Sequence, residues 1–204
     1  MVQTIYGYTL IMKPIENYIN EALITKANIK GAAAANNNPQ PKSKKELRAI
    51  IDDCIEKNGL NCNLNHIDTS KITDMSELFR HLFHFNGDIS EWDVSNVSNA
   101  NDMFKGCNDF DGDLGNWDIR SLEQCKGMFL NCRNFTGKGL EKWAKRMKFI
   151  LDNRTSEAAS MFYNCTSLEA KKLECWKDPK PVIGNFMFEY CETQPSWYRP
   201  SSIK

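Results

Sequence analysis

The segment Trp92-Asp93-Val94-Ser95-Asn96-Val97, followed by Met103-Phe104 and Cys107, returns 25 residues later as Trp117-Asp118-Ile119-Arg120-Ser121-Leu122, Met128-Phe129 and Cys132. The pattern continues through Trp143, Met161-Phe162 and Cys165 to Trp176, Met187-Phe188 and Cys191, with steps of 25, 26 or 33 residues. One register that carries three residue types through successive units marks a repeat architecture, in which each unit rests on its neighbours.

An earlier, degenerate unit fits the same frame. Ile67-Asp68 stands where Trp-Asp is expected, Leu78-Phe79 replaces Met-Phe, and Leu82 replaces the cysteine. The array therefore holds about five units. A single unit buries six or seven side chains at roughly 1.5 to 3 kcal/mol each. Ordering its backbone costs on the order of 1 to 2 kcal/mol per residue, so an isolated unit does not fold and the units must stack.

Within a unit, Trp92 to Val97 reads as extended, and Met103, Phe104 and Cys107 share one side of a short helical turn. The pattern predicts an α/β repeat solenoid whose units each hold one short strand and one short helical turn. Asn86-Gly87-Asp88 and Asp111-Gly112-Asp113 supply corner residues between a helical half and the next strand. The unit between Trp143 and Met161 carries about eight extra residues. There Trp143, Met147, Phe149 and Ile150 alternate with Lys142, Lys145, Arg146 and Lys148, which predicts a longer helix.

The chain divides into an arm (1–30), a linker (31–42), a capping helix (43–59), the repeats (60–193) and a tail (194–204). In the arm, Pro14 opens a helix of about three turns whose stripe is Ile15, Tyr18, Ile19, Ala22 and Leu23. Such a helix needs a partner surface. The linker, rich in Ala, Asn and Pro, has no hydrophobic period. Ser43 and Glu46 have capping-box spacing before the stripe Leu47, Ile50, Ile51, Cys54 and Ile55, which ends at Asn58-Gly59. This helix covers the first repeat. The proline-rich tail ends the array.

Lys plus Arg equals Asp plus Glu at 26 each, so no basic field gathers nucleic acid. No apolar run approaches the roughly 18 residues of a membrane span, and Met1 to Ile11 lacks the pattern of a secretion signal. Four of the eight cysteines occupy one repeat position, which favours a ladder of buried, reduced thiols over a disulfide framework.

Ile67-Asp68-Thr69-Ser70-Lys71-Ile72-Thr73-Asp74-Met75-Ser76-Glu77-Leu78-Phe79, with Phe85-Asn86-Gly87-Asp88-Ile89-Ser90-Glu91-Trp92-Asp93-Val94, resembles the BspA-type leucine-rich surface repeat over roughly residues 60 to 191. The resemblance implies a leucine-rich-repeat-like solenoid that binds other proteins on bacterial surfaces, with no catalytic residues. The lead-in from Lys44 to Asp68 and the opening Met12-Lys13-Pro14-Ile15 are similar to segments of proteins from Bacteroidetes and their crAss-like tailed phages. That second resemblance implies a virion component, capsid- or tail-associated, that is made in the cytoplasm and contacts other virion proteins; the bacterial cell surface is the alternative location.

Other chemistry is weaker. His66, His81 and His84 with Cys62 are the best metal candidates, but their order matches no known zinc motif. Asp88, Asp93, Asp113 and Asp118 recur with the repeat, as turn-capping carboxylates do and a catalytic pair does not. Asn96, Asn134, Asn153 and Asn164 head formal glycosylation sequons, which matter only in a secretory lumen. A cysteine nucleophile lacks a histidine among the regular repeats. The tryptophans fit core better than a carbohydrate-stacking stripe. Outward positions such as Glu91, Ser95 and Arg120 are better surface candidates.

The resulting expectation is a non-catalytic protein-interaction module without cofactor, docking through Ile15, Tyr18, Ile19 and Leu23. A virion structural component and a metal-dependent enzyme are the alternatives.

Overall fold

The computed structural model describes residues 38–176, 182–183 and 185–200. The predicted arm helix with Ile15, Tyr18, Ile19 and Leu23, and residues 31–37 of the predicted linker, lie outside the described residues.

Helix α1 (Lys44–Asn58) begins where Ser43 accepts the Glu46 amide and stops at Gly59, whose φ of 82° breaks the helical path. Its Leu47, Ile51 and Cys54 are buried against the first repeat. The inserted unit holds helix α2 (Ala144–Asn153), which follows a 3₁₀ turn at Leu140–Trp143.

The repeats stack, but they are not built from strands and helical turns as the sequence pattern suggests. Among the described residues the regular strands are β1 (Val182–Ile183) and β2 (Tyr198–Arg199), which pair in parallel. A strand per unit is absent from the described residues, so an α/β solenoid is the wrong class. The units are runs of consecutive turns.

Two backbone facts explain the difference. In the segment expected to be extended, Asp93 Oδ1 accepts the Ser95 amide at 3.0 Å, and the Val97 amide donates to the Val94 carbonyl at 2.9 Å. Both bonds bend the chain. In the Met-Phe segment, Glu77, Asp102, Ser160 and Phe186 precede the pair with φ between 53° and 57°. His81, Asn131, Asn164 and Tyr190 follow it with φ between 59° and 64°, and Gly106 and Gly127 fill two equivalent places. Left-handed residues at that frequency exclude both a helix and a strand.

The result is a ladder of a different kind. The amides of Met75, Glu77, Phe79 and His81 donate to the carbonyls of Asn99, Asn101, Met103 and Lys105 in the next unit, at 2.8 or 2.9 Å. Amides between them close local turns, Leu78 to Met75 and Arg80 to Glu77. Ala100, Asp102, Phe104 and Gly106 repeat the pattern onto the third unit, and Cys125, Gly127, Phe129 and Asn131 onto the fourth. Alternate amides thus hold the unit's own shape and its neighbour, so backbone polarity is satisfied without a sheet.

Candidate interaction surface

The interior is a set of parallel columns running the length of the stack. Phe79, Phe104, Phe129, Phe162 and Phe188 lie ring on ring, with centroids 5.3 to 5.6 Å apart. Phe85, Phe110 and Phe135 form a second column, and each sits 4.2 or 4.3 Å from its Phe79, Phe104 or Phe129 neighbour. Each fully buried ring contributes roughly 1.5 to 3 kcal/mol.

The tryptophans form a third column, buried and hydrogen-bonded. The indole N–H of Trp92 donates to the Leu64 carbonyl, Trp117 to Ile89, Trp143 to Leu114 and Trp176 to Leu140, at 2.9 to 3.2 Å. Their polar ends are thereby consumed inside the protein. Trp197 adds a fifth such bond, to the Leu173 carbonyl at 3.0 Å. It follows Trp176 by 21 residues, a step outside the spacing of the others, which is why the repeat pattern in the sequence misses it.

Met103, Met128, Met161 and Met187 are fully buried beside their phenylalanines. The thiols make a fourth column: Cys107 donates to the Phe79 carbonyl, Cys132 to Phe104, Cys165 to Phe129 and Cys191 to Phe162, at 2.9 or 3.0 Å. Burial pushes the Cys107 thiol up to about 12 and Cys191 to about 11, and raises Cys132 and Cys165 well above the usual thiol value. A thiol held protonated is not a nucleophile.

The recurring carboxylates are turn caps. Asp88, Asp93, Asp113 and Asp118 accept the amides of Ser90, Ser95, Gly115 and Arg120, each two residues on. The sequon asparagines are also engaged: Asn96 donates to the Ser70 carbonyl, Asn134 to Asp109, Asn153 to the Phe149 carbonyl and Asn164 to Asn131. Of the outward positions, Glu91 receives Asn116 Nδ2, Arg120 pairs with Asp118, and Ser95 is half-buried.

The metal candidates do not converge. His84 Nδ1 lies 2.8 Å from Asp109 Oδ2, His81 faces Arg80 Nε at 3.2 Å, and His66 is exposed. Burial and the neighbouring Arg80 and Lys105 lower the His81 value. Cys62 is buried against Cys54, and desolvation with that contact raises it to about 11. Among the described residues no group of three or more such side chains is placed to hold a metal ion.

Among the described residues four large apolar side chains are exposed: Phe83, Phe149, Phe186 and Tyr190. Phe149 belongs to α2, whose Met147, Ile150 and Leu151 pack into the core. Lys145 and Lys148 of the same helix are exposed, as is Lys142 in the 3₁₀ turn before it, whose Nζ lies near Gly115 of the preceding unit. The Arg146 guanidinium lies 4.9 Å from the centre of the Phe149 ring, and its Nε donates to the Leu122 carbonyl at 2.7 Å. The sequence pattern groups Phe149 with the core residues of this helix, and its outward place shows only in the fold. An arginine three residues earlier is the local signal for it.

Among the described residues no helix is long and apolar enough to cross a membrane. No curated protein and no solved structure matches this chain. A family model described as "Mycoplasma protein of unknown function, DUF285" matches residues 46–176, which span the capping helix and the units through Trp176, in keeping with a BspA-like repeat. The chain belongs to this family of repeat proteins.

Proposed function

We propose that the protein is a non-catalytic module for binding other proteins, in which the turn-built stack is a rigid carrier and the partner contacts lie on the elements that depart from the repeat. The observation that carries this reading is the inward use of the repeat's chemistry. The thiols donate to backbone carbonyls, the indoles do the same, and the recurring aspartates cap turns. Outside the repeat frame, α2 presents Phe149 outward; Phe83, Phe186 and Tyr190 are exposed within the repeat units.

The arm is the second docking element of this reading. Its stripe of Ile15, Tyr18, Ile19 and Leu23 suits a helix-in-groove contact. The test is co-purification of the full chain from its own cells with crosslinking, comparing wild type with Ile19→Asp. Loss of crosslinked partners with unchanged near-UV circular dichroism supports docking through the arm. Turnover of any substrate by the purified chain, or an unchanged partner set for Ile19→Asp, would overturn the corresponding half of the proposal.

A further inference from the structure

We infer that the outer face of α2 is a docking site for an acidic segment of another protein, one that carries an apolar side chain among its carboxylates. The inference rests on the reading of the chain as a protein-binding module and names one surface and the chemistry of its partner.

Three features of the face point to this occupant. Residues 142–149 hold three lysines and one arginine with no carboxylate, flanked by the exposed Glu141 and Asp152, in a chain of zero formal net charge. Among the described residues, none of Lys142, Lys145 and Lys148 enters an ion pair, although most of the ion pairs elsewhere on the stack join neighbouring basic and acidic side chains. Phe149 stands among them 45% exposed.

The phenylalanine is also held in place. Arg146 is anchored to the carbonyl of Leu122 in the preceding unit and lies against the Phe149 ring, so the exposed ring has a fixed platform. A prepositioned aromatic with a guanidinium against it and exposed lysines on the same segment meets a partner with little further ordering, which favours recognition. Carboxylates pair with the lysines, and an apolar side chain covers the ring.

Other anionic surfaces fit less well. The apolar face of α2 is spent on the core through Met147, Ile150 and Leu151, leaving Phe149 alone to enter a bilayer, whereas interfacial helices insert a whole face. Nucleic acid binding draws on a broad basic field, and the formal net charge here is zero.

The probe is a fluorescein-labelled peptide of sequence Glu-Glu-Phe-Glu-Glu-Leu-Glu-Glu, titrated by anisotropy against the full chain at about 50 and about 300 mM salt. Saturable binding that weakens with salt is expected, about tenfold weaker for the triple variant K142E/K145E/K148E and about threefold weaker for Phe149→Ser. These are exposed positions, and near-UV circular dichroism checks that each variant remains folded. Ile19→Asp is expected to bind the peptide as wild type does, so failure here is separable from failure of the arm. Absence of saturable binding, equal binding by the triple variant, or tighter binding to a duplex oligonucleotide or to phosphatidylserine vesicles would each overturn the inference.

Discussion

Arg48 Nη1 donates to the Leu78 carbonyl at 2.6 Å, and that oxygen holds the place that Met103 O holds in the next unit, where it receives the Phe79 amide. The capping helix thus supplies a side-chain donor where the ladder has no earlier unit. Lys44 assists, donating to Asp74 and to the Ser76 hydroxyl. Arg48→Met keeps the aliphatic packing and orphans the carbonyl, and it is expected to destabilise by about 1 to 3 kcal/mol. Urea denaturation would read the loss; an unchanged midpoint would make the contact incidental.

At the other end of the stack the Tyr198 hydroxyl donates to Glu189 at 3.3 Å. Trp197 and Tyr198 both pack edge-on against the Phe188 ring. Trp197→Ala removes the fifth indole bond together with this cover, at an expected cost of about 3 kcal/mol. A melting temperature within error of wild type would show that residues 194–200 are an appendage rather than part of the stack.

Stability is expected to fall at alkaline pH. Cys107 and Cys125 are pushed from 9.0 to about 12 by burial, and Cys62 to about 11. The folded state therefore prefers the protonated thiol. That contribution is complete below the ordinary thiol value and is lost as pH climbs from about 9 toward 12, with a limiting slope of about 1.4 kcal/mol per pH unit for each such thiol. Urea midpoints measured across this range test it, and a flat profile up to about pH 11 would contradict it.

Thiol accessibility should follow the same geometry. Cys175 is exposed and Cys191 half-buried, whereas Cys107, Cys132 and Cys165 are fully buried. Ellman's reagent in native buffer is expected to label Cys175 first, Cys191 slowly, and the other three only after denaturant is added. Fast reaction of all eight would rule out a closed thiol column.

Gly139 tests how closely neighbouring units approach. It has a φ of 80°, and a Cβ there would collide with the backbone of Gly115 in the preceding unit. Gly139→Ala combines a left-handed backbone with that overlap, so a loss of more than about 2 kcal/mol is expected. Gly59→Ala, with a similar φ of 82° but open space around it, is the control and is expected to cost only about 1 kcal/mol.

The burial register was legible in the sequence because the residue types repeat: Trp92, Phe104 and Cys107 recur in positions that the fold also makes inward-facing. The secondary structure was not. Met103, Phe104 and Cys107 at i, i+1 and i+4 fit a helical turn, and the left-handed residues beside such pairs include Glu77, Ser160 and Phe186, which carry none of the usual glycine signal. The α2 insertion was visible in its length, but not the outward placement of Phe149, which follows from the helix burying Met147, Ile150 and Leu151 instead. Neither Arg48 nor Tyr198 announces its contacts locally, since each meets residues of a neighbouring segment.

Along the Met-Phe segments the inter-unit amides point from an earlier unit to a later one, whereas those of Ser98, Glu123 and Ser167 point back to Thr73, Ser98 and Arg133, so it is the Met-Phe ladder that has a carbonyl end and an amide end. Two copies that met end to end could continue the ladder only by joining unlike ends. Arg48 donates to the first, and Tyr198 packs against Phe188 at the second. The same two side chains that finish the fold therefore guard against open-ended polymerisation, the hazard of any protein that leaves a backbone edge unpaired.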